Sequence, residues 1–230
     1  MFLSQRNTPE LACVHVEYEA EYLRISAPRM PSLQVRLVTE VGDGTLVDIQ
    51  IHKDLCKGVD IGEIAADWFS EFLGKRCRLI GQVSEHPRIR MASALGYKIS
   101  VSYADGYPIL VTSLASLLDL NKRIKTDGGE GVPMDRFRPN IVVALSAPYA
   151  EESWKIIRIG KLELVGGGRC VRCSVTAVDQ ITGQVAQDPR PTLLTYNTNE
   201  DNKVTFGRYF GVKARSTGQI AVGDPVYVMD

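Results

Sequence analysis

The sequence predicts a mixed α/β fold dominated by strands, with a barrel in its second half and a smaller α+β region before it. Three observations carry this expectation. Short segments alternate apolar and polar residues at the period of a half-buried strand. Glycine-bearing turns break the second half about every eight to twelve residues, as in a closed or nearly closed β-architecture. Helical apolar periodicity is confined to two stretches.

In chain order, "ACVHVEY", "YLRIS", "LQVRLV" and "LVDIQIH" read as the first strands. A helix is expected from Ile61 to Leu73. Ile61, Ile64, Ala65, Trp68, Phe69, Phe72 and Leu73 form its apolar stripe, Asp60 with Glu63 its cap, and Gly74 its stop. The polar, basic stretch "EHPRIRMASALGYK" (85–98) reads as a loop and an internal boundary. "YPILVT" leads to a second helix capped by Ser113, with Leu114, Leu117, Leu118 and Asn121 along one side. "TDGGEGVP" is a loop before "MDRFRPNIVVAL", and from there "KIIRIG", "KLELVGGGRC", "VRCSVTAVD", "RYFGVKA", "QIAVG" and "PVYVM" read as short strands. The expected organisation is an N-terminal region over 1–92 and a core domain over 93–230.

Composition excludes several classes. The 230 residues are 44% hydrophobic and 23% charged, which is globular, and the formal net charge is zero. Long-range attraction to nucleic acid therefore gets no support, and an anion site would have to be a local cluster of basic residues. No apolar run reaches the length of a membrane span, and "MFLSQRNTPELACVHV" lacks the order of a signal peptide. Cys13, Cys56, Cys77, Cys170 and Cys173 make an odd set in such a chain, so reduced thiols in a cytoplasmic setting are expected. The GxGxxG and GxxxxGK[ST] phosphate loops and the GxSxG elbow are missing. His15, His52 and His86 lie far from any cysteine pair and read as surface or strand residues.

The stretch with chemical content is "GGGRCVRCSVTAVD" (166–179). A zinc site would need a second ligand pair, and no other CxxC or HxxxH occurs. A thioredoxin-like pair would sit where a strand enters a helix, whereas the residues after Cys173 alternate like a strand. A single thiolate ligand to a soft metal is the third reading, since neighbouring arginine charge favours thiolate. Two small buried strand residues are the fourth. Arg136, Arg138, Arg169, Arg172 and Arg208 stand beside asparagine, glycine or aromatic residues, a setting suited to bidentate phosphate binding or to ordinary ion pairs.

"YADGYPILVTSLASLLDLN" (103–121), "FRPNIVV" (137–143), "YAEESWK" (149–155), "RCVRCSVTAVDQITG" (169–183), "FGRYF" (206–210) and "GQIAVGDPVYV" (218–228) follow one another in that order. Together they resemble the MOSC family, named for the C-terminal domain of molybdenum cofactor sulfurase, over residues 1–230. The closest branch looks like the mitochondrial amidoxime-reducing component and its bacterial relatives. The resemblance implies a MOSC-type β-barrel and a molybdenum-pterin cofactor. It places the metal on Cys173 and cofactor contacts on Arg138 and Asn140. Asp105, Gly106, Tyr107 and Tyr209 fall at pocket positions, and Val171 and Arg172 would offer backbone amides to the pterin phosphate. It also carries pyridoxal phosphate binding as an expectation.

The activity implied is molybdenum-dependent reduction of N-hydroxylated compounds such as amidoximes and hydroxylamines. Electrons would come from an external donor of cytochrome or ferredoxin type. A non-catalytic carrier of the cofactor or of sulfur, or an inactive paralogue, is the alternative. Family members usually open earlier, with a "YPVKS"-like strand and a "GDRRWM"-like stretch. The lysine, serine and arginine of that opening have no counterpart here, which leads to an expectation of weakened cofactor binding.

Overall fold

The computed structural model describes residues 2–37, 40–42, 44–92, 96–103 and 106–229. The chain forms two compact units, Met1–Arg88 with Val178–Val185, and Ile89–Ala177 with Ala186–Asp230.

In the first unit, strands β1 (His15–Glu19), β2 (Tyr22–Ser26) and β3 (Leu33–Arg36) form an antiparallel meander. Alternation is cleanest in β3, where Leu33 and Val35 are buried while Gln34 and Arg36 face out. β4 (Leu46–Ile51), β5 (Asp54–Asp60) and β6 (Ile80–Gly81) form a second antiparallel sheet. Helix α1 (Glu63–Leu73) packs Ala65, Trp68 and Phe69 into a core with Ile25, Leu33 and Val35. The indole of Trp68 donates to the Pro31 carbonyl at 2.7 Å.

Two details of the expected helix are corrected. Asp60 ends β5 instead of capping α1, accepting from the Gly62 amide at 2.9 Å and pairing with Arg78, and Gly62 takes the N-cap position. Ile64 is 79% exposed, while Ala66 lies in the buried face in its place. Gly74 stops the helix in the left-handed conformation, as expected.

The second unit opens with a hairpin, β7 (Ile89–Ala92) and β8 (Tyr97–Ser100), in the stretch expected to be a loop. Its centre is a six-stranded, nearly closed, barrel-like mixed sheet. The strands are β9 (Ile109–Ser113), β10 (Ile141–Val143), β11 (Ile156–Ile159), β12 (Leu162–Val171), β13 (Thr205–Val212) and β14 (Val226–Val228), in the order β10-β9-β13-β12-β11-β14. The β9–β10 pair is parallel and the others are antiparallel. Val111, Val143, Ile157, Ile159, Leu164 and Phe210 form one apolar cluster on it.

Helix α2 (Leu114–Thr126) follows β9 directly, and the Ser113 side chain caps it by accepting from the Ala115 amide at 3.1 Å. Its buried face is Leu117, Leu120 and Ile124, while Leu114 and Leu118 point outward, so the expected stripe is rotated. Asn121 instead exchanges two hydrogen bonds of 2.9 Å with the backbone of Val132. A short helix, α3 (Arg190–Leu194), was not foreseen, and its Leu193 joins the α2 core with Phe137 and Phe206. The residues after Cys173 form a 3₁₀ turn, Ser174–Ala177, and not a strand. "QIAVG" is likewise irregular. Among the described residues no helix is long and apolar enough to cross a membrane.

Candidate functional site

Cys173 leaves the end of β12 and enters the 3₁₀ turn, half-buried and unbridged. Its carbonyl accepts from the Thr176 amide at 3.3 Å and the Thr176 hydroxyl at 3.0 Å, which closes the turn behind the thiol. A second turn, Met134–Phe137, ends at Arg138, whose φ of 52° and ψ of 49° are left-handed. Few residues with a Cβ adopt that conformation. The two turns are tied together. Arg136 donates to the Ala177 carbonyl at 3.0 Å, and Arg172 donates to the Phe137 carbonyl at 2.8 Å.

The other expected residues lie along the neighbouring strands. Asn140 exchanges hydrogen bonds with Leu110 of β9, its amide donating at 2.9 Å and its side-chain oxygen accepting at 2.8 Å. Leu110 is the register partner of Tyr209 on β13. Tyr209 stacks on Tyr107, with ring centroids 5.3 Å apart and planes 14° off parallel. A Cβ on Gly106 would stand 4.0 Å from the Tyr209 ring. Asp105 lies outside the described residues.

The three glycines have unequal reasons. A Cβ on Gly166 would come within 2.4 Å of the Trp154 carbonyl, and one on Gly167 within 2.5 Å of the Tyr107 ring. One on Gly168 would meet nothing within 4 Å. The close backbone approach therefore admits Tyr107 to β12. Gly167→Ala is expected to displace Tyr107 from its stack at a cost of about 1–3 kcal/mol. Gly168→Ala should stay within about 0.5 kcal/mol of the parent. Denaturant midpoints of the two variants check this, and equal midpoints would remove the packing role of Gly167.

The arginines, alike in sequence, are unlike in place. Arg169 pairs with Glu152 at 2.6 Å, donates to the Thr198 carbonyl at 2.8 Å and also reaches Asn197. Arg208, directly across the sheet from Arg169, donates to the Glu152 carbonyl. Of the two readings the sequence left open, both therefore take the ion-pair one, as members of a part-buried network. Asn197 and the Gly207 amide donate to Glu152 at 3.0 and 3.1 Å, while burial pushes its carboxyl above the ordinary range. The Arg172 amide donates to the Val204 carbonyl at 2.9 Å, so it is not open to a phosphate. Val171, its neighbour, is 42% exposed at the strand end. Arg138 alone of the five is exposed, and among the described residues its guanidinium has no hydrogen-bond or ion-pair partner.

Sequence reading missed two contributors. Glu152 sat in a quoted segment, where a charged pair beside an aromatic gave no sign of burial. Arg190 is forked onto Asp188, with contacts of 3.0 and 2.6 Å. Those hydrogen bonds hold it charged above its ordinary range, and Cys173 lies near enough to add a smaller electrostatic contribution. No spacing rule links residues so far apart.

Comparison with known proteins adds the family. The MOSC domain matches residues 98–227, and the MOSC N-terminal beta barrel domain matches residues 1–76. The chain belongs to the MOSC family. It is 35% identical to mitochondrial amidoxime-reducing component 1 of Mus musculus over 240 residues, covering 99% of this chain and 68% of that protein. It is 32% identical to mitochondrial amidoxime reducing component 2 of Bos taurus, covering 97% and 68%. Molybdenum cofactor sulfurase of Oryza sativa subsp. japonica is 29% identical over 89% of this chain and 27% of its own length. Pyridoxal phosphate finds no support in the MOSC site. Enzymes hold it as a lysine Schiff base, and none of the residues named for this site is a lysine.

Proposed function

We propose that the chain reduces N-hydroxylated compounds, amidoximes and hydroxylamines, using a molybdenum-pterin cofactor. The observation that carries this reading is a half-buried free thiol, Cys173, on a turn bonded to the turn that presents Arg138, whose guanidinium has no partner among the described residues. Among the described residues, His, Cys, Asp and Glu side chains gather nowhere in a group of three that could hold a metal. A single thiolate suits a group that brings its own metal ligands, and a free guanidinium suits the phosphate of that group. The residues present therefore fit the cofactor.

Cys173 would hold the metal and Arg138 would clamp the phosphate. The Tyr107–Tyr209 stack and Asn140 would wall the pocket, with Val171 at its rim. When bound, the group supplies the two-electron chemistry that cleaves the N–O bond. An external donor of cytochrome or ferredoxin type supplies the electrons. The similarity to amidoxime-reducing components along nearly the whole chain supports this substrate class.

The test is metal analysis of protein made in a cofactor-competent host, with amidoxime reduction followed under a chemical electron donor. The reading expects retained molybdenum together with turnover. Cofactor without turnover would mark a carrier, and the absence of both cofactor and turnover would overturn the reading.

Arg138→Lys sharpens the test. Losing the planar fork should weaken cofactor binding by roughly tenfold or more. The melting temperature of the cofactor-free protein should hold, because exposed residues without partners change stability by about 0.5 kcal/mol or less. A large loss of apo stability would instead make Arg138 a structural residue.

A further inference from the structure

Arg172 is expected from the resemblance to serve the cofactor through its backbone amide, yet that amide donates to Val204. Its side chain is equally engaged within the protein. One guanidinium nitrogen, Nη1, donates to the Cys170 sulfur at 2.8 Å, and Nη2 donates to the Phe137 carbonyl at 2.8 Å. The guanidinium carbon also lies 5.4 Å from the centre of the Phe137 ring. Cys170 is 2% exposed and Phe137 is fully buried, so both acceptors belong to the rigid interior.

The Phe137 carbonyl is one end of the peptide plane whose other end is the Arg138 amide. That amide donates to the Asp135 carbonyl at 2.9 Å. Arg172 and Asp135 thus grip the two ends of a single peptide plane, and the orientation of that plane sets the φ of Arg138. A left-handed residue with a side chain persists only where its surroundings over-determine it. Arg172 provides half of that determination. It acts from the strand end that carries Cys173.

We propose that Arg172 is a positioning residue. It holds Arg138 in the left-handed conformation that aims the free guanidinium at the anionic ligand, and Cys170 is the buried acceptor that aims Arg172. The pair Cys170/Cys173 then divides its labour, one sulfur anchoring an arginine and the other left free. This inference rests on the reading of Arg138 and Cys173 as the cofactor site.

Two measurements on the purified full chain test it. The first is amide hydrogen exchange over residues 134–140 in cofactor-free protein. The second is pterin cofactor content after loading. Arg172→Met keeps the stem and removes the donors. It should speed exchange at Arg138 by roughly tenfold or more and lower cofactor content correspondingly. Cys170→Ser keeps an acceptor and should match the parent, whereas Cys170→Val should behave like Arg172→Met. Arg138→Ala combined with Arg172→Met should bind no more weakly than Arg138→Ala alone, because a positioning residue has nothing left to position.

Unchanged exchange in Arg172→Met, or additive losses in the double variant, would overturn the proposal. If Arg172→Met fails to fold, Cys170→Val decides by the same exchange measurement. A parent chain that takes up no pterin would sink the functional reading alone, since the exchange result still judges Arg172.

Discussion

Cys173→Ser is expected to purify folded and without molybdenum. The hydrogen bonds that seat this residue run through its carbonyl, which Thr176 engages twice, and serine leaves them in place. The thiol itself is half-buried and unbridged, so its replacement should shift stability by about 0.5 kcal/mol or less. A neutral hydroxyl is a poor substitute for thiolate toward a soft metal, and molybdenum content should fall by at least roughly an order of magnitude. Cys170→Ser should keep its metal, because a serine oxygen can accept from Arg172 where the sulfur does now. Metal analysis and melting temperature of the two variants read the outcome. Equal, small losses in both would remove Cys173 from the ligand position.

Glu152→Ala is expected to be strongly destabilising. Its carboxylate pairs with Arg169 at 2.6 Å and accepts from Asn197 and Gly207, and its own carbonyl accepts from Arg208. Arg169 and Arg208 face each other directly across β12 and β13, an arrangement that repels. Without the carboxylate, two neighbouring half-buried cations would lose their counter-charge among the described residues. Removing one partner of a buried pair costs about 3–5 kcal/mol. Glu152→Gln should fall between, since it keeps an acceptor for Asn197 and Gly207 but loses the charge. Chemical denaturation of the three proteins checks the order. A loss below about 1 kcal/mol for alanine would rank the pair with ordinary surface bridges.

Much of the strand pattern was legible because burying one face of a strand demands a period of two. β3 shows it residue by residue, and α1 shows the helical equivalent through Trp68 and Phe69. β5, "DLCKGVD", escaped notice because it carries few apolar residues. The hairpin of β7 and β8 escaped for a different reason: Ile89, Arg90 and Met91 are all exposed, so β7 shows no alternation of apolar and polar residues. The turn after Cys173 was misread because "SVTAVD" alternates by composition. Thr176 settles it by folding back onto the Cys173 carbonyl.

The site divides in the same way. Cys173, Arg138, Asn140, Tyr107 and Tyr209 came from a resemblance carried by motifs, and the described structure ties Cys173 to Arg138 through two turns and links Asn140 to the two tyrosines along β9 and β13. The sequence by itself determined the strand-dominated class, the two principal helices and the family, because period and motif are local properties of a chain. Only the tertiary structure decided which of the five arginines has no partner among the described residues. Arg169 and Arg208 are spent because the fold delivers Glu152, 56 positions before Arg208, into the gap between two strands. Arg172 is spent on Cys170 and Phe137, and Arg138 is left over. Whether a cation is available to a ligand depends on the acceptors within about 3 Å of it. In a sheet, those acceptors come from residues that sequence distance keeps far apart.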